Sequence, residues 1–238
     1  MFPKTKTVST NKSGSLSRFK NLHTVLLGLP EKQGRIAMSL IVMTLVLFVT
    51  LVLPAWAFGF AIGVVSVFMV RELGHMYRGK LPAVPVLLII FSAFCLFFIR
   101  NESGVGHLFI LYLIAVVSMS DSGAYIVGKR IGKRPLMKTV SPGKTIEGAI
   151  AGVLSGTLIS GFFFSIAGQS LMLGLLSGLI ISVSAVAGDL YESKLKRTVG
   201  VKDSGTVLLH QGGLLDRYDS YLFAAPLLAL PLFILSLL

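Results

Sequence analysis

Seven long apolar stretches separated by short basic loops constrain this chain more than any other feature. They run near residues 36–53, 56–70, 82–99, 107–127, 147–167, 170–188 and 219–238. A bilayer-crossing helix needs about 20 mostly apolar residues, because each adds ~1.5 Å and the hydrocarbon layer is roughly 30 Å thick. The first two stretches nearly merge, and only Pro54 with Trp56 marks an interfacial turn between them. With 54% apolar and 13% charged residues, the composition excludes an ordinary soluble domain of 238 residues. The sequence predicts an all-α polytopic membrane protein of about seven transmembrane helices.

A net charge of +12 raises the question of nucleic-acid binding, and the placement of the charge argues against it. Of the 22 Lys and Arg residues, 21 fall in residues 4–35, 71–80, 129–144 and 194–217, leaving only Arg100 elsewhere. Seven spans with a cytoplasmic N-terminus put all four basic segments on one side, as the positive-inside rule requires. Residues 1–35 form a basic, disordered tail lying against anionic headgroups, and 36–238 form the transmembrane domain. Its cytoplasmic loops are 71–81, 128–146 and 189–218. The compact size and the absence of targeting features point to a bacterial inner (cytoplasmic) membrane. Cys95, the single cysteine, sits in an apolar stretch as a packing residue.

Acidic residues are scarce, ten in all, and three of them, Asp203, Asp216 and Asp219, share the run 193–220 with interleaved basic residues. If the sixth helix continues past the membrane through GDLYESKLKR, residues 188–197, then Asp189, Glu192 and Lys196 share one face at i, i+3 and i+7. Asp216 and Asp219 stand three apart at the start of the last span. Two helix ends at one membrane surface then present carboxylates to each other, a geometry that suits Mg²⁺, which takes one or two carboxylates and leaves other positions to phosphates. Lys196, Arg197, Lys202 and Arg217 beside them suit phosphoryl oxygens. Solvated charges paired with their neighbours are the alternative. Gly205, Gly212 and Gly213 permit either a close backbone approach to a ligand or simple turns, and His210 is either a titrating group or polar surface.

Asp121, in VVSMSDSGAYIVGKR (116–130), lies about two turns inside the basic membrane edge. Charge at that depth costs roughly 2.5–3.5 kcal/mol on insertion scales, so Asp121 must face a polar cavity or a partner helix. Ser118, Ser120, Ser122 and Gly123 permit close helix packing there. In KTVSPGKTIEG (138–148), Gly143-Lys144-Thr145 resembles the end of a P-loop, but Lys stands at position 138 where that motif requires glycine. The segment reads instead as a helix start at Ser141-Pro142, with Lys144 and Glu147 in the first turn and Lys144 able to meet an anion.

GDLYESKLKR, KDSG and GGLLDRYD together closely resemble the C-terminal signature of the phosphatidate cytidylyltransferases, or CDP-diglyceride synthases. DSGAY (121–125) and SPGKTIEG (141–148) resemble that family's upstream segments in the same order, so the likeness covers residues 118–220. The chain is short for the family, by a span or two on its N-terminal side. The resemblance implies transfer of CMP from CTP to phosphatidic acid, giving CDP-diacylglycerol and pyrophosphate at the cytoplasmic membrane surface. It further implies Mg²⁺, a monovalent cation such as K⁺ in some members, and a homodimer. Carried over by position, Asp189 and Asp216 match the metal-binding carboxylates, and Lys144, Lys196 and Arg197 match phosphate-holding positions. Asp121, Ser141, Lys202, Asp203, His210, Gln211, Arg217 and Asp219 fall around the substrates. Where the family has Pro-Gly-His before its double glycine, this chain has Leu209-His210-Gln211, which opens the question of a different lipid phosphate as acceptor. Two further classes remain: an ion-coupled transporter, and a non-catalytic lipid-binding homologue. Charge gathered at one surface, with no paired halves, weighs against the transporter.

Overall fold

The computed structural model describes residues 31–102, 104–205 and 212–236. The tail through residue 30, and with it His210 and Gln211, lies outside the described residues. Helix α1 (Glu31–Leu51) begins within the segment assigned to the tail, and α2 (Ala55–Met76), α3 (Ala83–Asn101) and α4 (Gly106–Ile131) follow. Strands β1 (Pro135–Met137) and β2 (Ser141–Thr145) then form an antiparallel hairpin, with Pro135 opposite Thr145 and Met137 opposite Ser141. Helices α5 (Ile146–Ile166), α6 (Leu171–Thr198), the single turn α7 (Leu215–Tyr218) and α8 (Tyr221–Ser236) complete the chain.

Among the described residues five helices, α2 to α6, are long and apolar enough to cross a membrane, and apolar helix is also present at Ser39–Leu51 and Tyr221–Ile234, within the expected first and last spans. The outer surface carries large apolar side chains such as Leu40, Trp56, Phe60, Phe94, Leu158 and Phe233, whereas Thr50, Ser92, Ser120, Ser160 and Ser182 are buried. Polar groups inside and apolar groups outside are what a lipid solvent demands, because a polar group facing hydrocarbon has no water to bond.

Lipid tails supply no hydrophobic drive to bring helices together, so close packing of small residues does that work. Gly148, Gly152 and Gly156 are buried one turn apart along α5. A Cβ at Gly152 would stand 2.7 Å from the carbonyl oxygen of Ser120 on α4, and one at Gly148 would stand 2.8 Å from that of Ala124. Gly123 faces Ser155 across the same seam. Tyr112 then joins three helices, its hydroxyl lying 2.7 Å from Ser160 Oγ on α5 and 2.8 Å from Ser177 Oγ on α6. α8 is fixed to α3 where Ser92 Oγ donates to the Tyr221 carbonyl at 2.9 Å.

The loop-bearing ends meet on one side of the bundle. Tyr77 after α2 bonds Thr198 at the end of α6 (3.0 Å), and Arg197 Nε donates to the Val140 carbonyl in the hairpin turn (3.1 Å). At the other end, Arg100 closes α1 by donating to the carbonyls of Thr50 (3.1 Å) and Leu53 (2.8 Å). The one basic residue outside the four basic segments thus satisfies C-terminal helix carbonyls, where a cation is favoured.

The seam generates a test. Gly152→Val forces a branched side chain against the α4 backbone and lowers stability in detergent by about 1–3 kcal/mol or more. Gly63→Ala, where nothing lies within 4 Å of the added carbon, leaves the melting temperature unchanged. Equal melting temperatures for the two variants contradict the packing described.

Candidate active site

Two acid clusters occupy the loop-bearing end. The first lines a cleft of about 410 Å³ between α4, the hairpin, α5 and α6, walled by Asp121, Tyr125, Gly128, Lys129, Leu136, Lys144, Thr145, Gly148 and Asp189 among others. Lys144 forms an ion pair with Asp189, each side chain 30% exposed, and Asp121 lies within the reach of both charges. Asp121 therefore does face a polar cleft, with Lys144 and Asp189 among the side chains that line it.

The local chain explains how Lys144 reaches the cleft. Ser141-Pro142 does not open a helix; Ser141–Thr145 is a strand, and α5 begins at Ile146. Thr145 is the residue that caps it, its Oγ1 accepting from Gly148 N at 3.1 Å. Glu147 turns back to accept from the amides of Lys133 (3.1 Å) and Arg134 (3.2 Å), which ties the hairpin to the helix. The capping signal was present in the sequence but one turn later than expected, since Thr145 offers its oxygen to the N3 amide and the hairpin uses up residues 141–145. Lys144 stands on a strand edge, ahead of the helix.

Asp189 also adjoins Asp219, in the turn between α7 and α8, and the Gly188 Cα packs on the Asp219 carbonyl with no room for a side chain. Asp219 is 9% exposed, and one oxygen accepts from Ser220 N at 2.6 Å. Burial first, and then the charges of Asp189 and Glu192, push its carboxyl well above the usual carboxylate range. A buried carboxylate held against a second one calls for a shared proton or a cation between them. Among the described residues no group of three or more His, Cys, Asp or Glu side chains gathers around a common point. The pair suffices for Mg²⁺, which uses one or two protein carboxylates.

Asp216, the expected partner of Asp189, lies in the second cluster. Its Oδ1 accepts from Lys196 Nζ at 2.8 Å, and its Oδ2 from Gly213 N at 2.8 Å, while Ser204 N is shared between them at 3.2 and 3.1 Å. Both oxygens are thereby occupied. Lys196 also meets Glu192, fully buried, at 2.5 Å. The predicted continuation of α6 is present to Thr198, with Asp189, Glu192 and Lys196 along it as the spacing requires, but Asp189 faces the cleft and the other two face Asp216.

Glu72 is the residue that sequence reasoning missed. It is 4% exposed at the end of α2, its Oε1 accepts from Leu214 N (3.0 Å), and its Oε2 accepts from Leu215 N (3.0 Å) and Ser204 Oγ (3.3 Å). The only signal was a lone acid in the basic segment 71–80. It accounts for two of the loop glycines: a Cβ at Gly205 would lie 2.6 Å from Glu72 Oε1, and one at Gly213 2.5 Å from Oε2. Gly212 has φ +86°, and a Cβ there would crowd Asp216 Oδ2 at 2.5 Å. These glycines accommodate the protein's own carboxylates. Lys129 and Tyr125 were likewise missed; Lys129 Nζ stands 5.5 Å from the Tyr125 ring centre at the cleft wall.

The remaining expected site residues are placed as follows. Arg197 gives its guanidinium to the carbonyls of Val140 and Val201, both at 3.1 Å. Ser141 is half-buried on β2, Lys202 and Asp203 are exposed in the loop after α6, and Arg217 is exposed on α7.

A helical membrane protein with a lysine-and-aspartate cleft at one end, backed by the buried Asp219, is the class these features define. A profile of the Cytidylyltransferase family matches residues 79–235, and the chain belongs to that family. It is 44% identical over 132 residues to the "Phosphatidate cytidylyltransferase" of Bacillus subtilis, covering 55% of this chain and 49% of the relative. To the protein of the same name from Helicobacter pylori it is 47% identical over 134 residues, 56% of this chain and 50% of the relative. The Staphylococcus haemolyticus protein of that name is 42% identical over 137 residues, 57% and 52% respectively. The chain spans about half the length of the curated relatives it matches.

A pH test follows from Asp216. Burial alone would raise its carboxyl, but the Lys196 ammonium and the Gly213 amide outweigh that and hold it below the ordinary range. Stability from this group is therefore complete above the unfolded value, about 3.9, and is lost as pH falls through the lower folded value. Melting curves of wild type and Asp216→Asn converge as pH drops below about 4, and a constant difference across that range contradicts the assignment.

Proposed function

We propose that the chain transfers CMP from CTP to a membrane lipid phosphate, phosphatidic acid foremost, releasing pyrophosphate at the cytoplasmic surface of a bacterial inner membrane. The observation that carries this reading is the Lys144–Asp189 pair with Asp121 in one cleft, beside buried Asp219, all within the family-matched segment. The names of the relatives support the substrates. Seven crossings with the N-terminus inside are supported by the gathering of the basic loops at one end of the bundle.

Asp189 and Asp219 fit Mg²⁺, because a dication offsets the like charge that the cleft-lining Asp189 places beside buried Asp219. When bound, the metal supplies charge neutralisation for the triphosphate. Asp216 stands one step back, fixing Lys196. A phosphate monoester is largely ionised at pH 7, so its oxygen attacks the CTP α-phosphorus without a general base; the new P–O bond forms as the bond to pyrophosphate breaks. Lys144 holds phosphoryl oxygens in exchange for its bond to Asp189, and Lys129 adds positive charge at the cleft wall. Catalysis then consists of alignment and charge offset. A homodimer, and a need for K⁺, belong to the same reading.

The Leu209-His210-Gln211 segment favours a second reading in which another lipid phosphate is the acceptor. Purified protein given labelled CTP, Mg²⁺ with and without K⁺, and a panel of lipid phosphates yields label in an organic-soluble product, and the panel separates the two readings. Asp189→Ala and Lys144→Ala each lower turnover by about 100-fold or more with membrane insertion intact. Near-normal turnover in either variant, or no labelled lipid with any acceptor, overturns the proposal.

A further inference from the structure

Glu72 lies outside the family-matched residues 79–235 and outside every motif, yet it bonds both ends of the loop that joins α6 to α7, the turn that leads to Asp219. We infer that Glu72 is a positioning residue for the transfer site: its carboxylate sets the α7 turn so that Asp219 comes to rest against Asp189. The inference rests on the cytidylyl-transfer reading above for its chemistry, and on the following geometry for its substance.

One Glu72 oxygen receives Leu215 N, the first residue of α7, and that turn leads directly to Asp219. The same oxygen receives the Ser204 hydroxyl, while Ser204 N binds Asp216, so a single serine links Glu72 to the Asp216–Lys196 pair. The loop is shaped to the carboxylate, because Gly205 and Gly213 leave no space for a Cβ beside it. Glu72 holds residues 204 and 214–215 at once, from a helix that contributes no residue to the cleft wall.

Full-length protein in detergent decides the matter with Mn²⁺ as the probe, read as the rise in melting temperature against Mn²⁺ concentration. Kinetic constants for CTP and for the lipid acceptor are measured on the same samples. Glu72→Gln keeps the shape, but its NH2 group confronts an amide donor. The expected result is an increase of about 10- to 100-fold in the Mn²⁺ concentration giving half the rise, with a kcat decrease of similar size and little change in KM for the lipid. A variant that melts lower but keeps the wild-type Mn²⁺ midpoint and kcat per folded molecule shows a structural role only and overturns the inference. If Glu72→Gln does not fold, Glu72→Asp, which retains the charge and loses one methylene of reach, takes its place. A wild-type Mn²⁺ midpoint in that variant overturns the inference equally. Wild-type protein whose melting ignores Mn²⁺ does so too. Failure of the wild type to transfer CMP sinks the functional proposal alone, since the Mn²⁺ midpoint still reads the placement of Asp219.

Discussion

A carboxylate removed from water must be met by a cation or by several hydrogen-bond donors, and the loop-bearing end of this protein is arranged around that demand. Glu72, Asp189, Glu192, Asp216 and Asp219 all lie there, half of the chain's ten acidic residues. Each solves the problem differently. Glu72 takes two amides and a hydroxyl, Asp216 takes a lysine and two amides, and Glu192 takes the same lysine. Asp219 has one amide and a neighbouring carboxylate, which leaves it the least compensated of the buried acids described. A hydrogen bond to a charged group contributes about 1.5–3 kcal/mol, so the first two are firmly seated while the Asp189–Asp219 pair retains a deficit that a ligand ion can fill.

The helical seam below makes that end possible. Because Gly148, Gly152 and Gly156 let α5 approach the α4 backbone, the polar space is confined to the last turns, where Gly128 and Gly148 line the cleft. Wider spacing along the seam would admit lipid or water beside Ser120. The serines that look out of place in an apolar helix serve the same end, since Ser160 receives Tyr112 and donates to the Gly174 carbonyl at 2.5 Å.

Much of this was legible in the sequence because length and charge act locally. The apolar stretches place the helices, and the basic segments identify loops 71–81, 128–146 and 189–218 as neighbours, which Tyr77–Thr198 and Arg197–Val140 join in space. Asp121 and Lys144 were readable as partners of a polar site, the first from the cost of charge in a span and the second from its glycine-flanked loop. What sequence spacing does not carry is which of several acids faces which. Asp189, Glu192 and Lys196 share a helical face, but three and seven residues along α6 they point at different loops, and the pairing depends on where α7 turns. That turn depends on Glu72, some 140 positions away in sequence, so no local pattern reveals it. Likewise the loop glycines leave ligand approach and simple turns both open, because a missing Cβ looks the same whether the visitor is a phosphate or the protein's own glutamate.

The two lysines show how the number of partners assigns roles to identical chemistry. Lys196, 13% exposed, lies between Glu192 and Asp216, and removing it would strand two buried carboxylates. A phosphate competing for that ammonium would take it from Glu192 altogether and leave Asp216 with only its two amides. Lys144 has a single ion-pair partner, Asp189, and its side chain lines an open cleft although its Nζ is buried there. Replacing Asp189 by a phosphoryl oxygen at Lys144 exchanges one anion for another, and the released aspartate can turn to a cation shared with Asp219. The first lysine is therefore a fixture of the loop and the second an exchangeable contact, a distinction that follows from partner count without any difference in residue type.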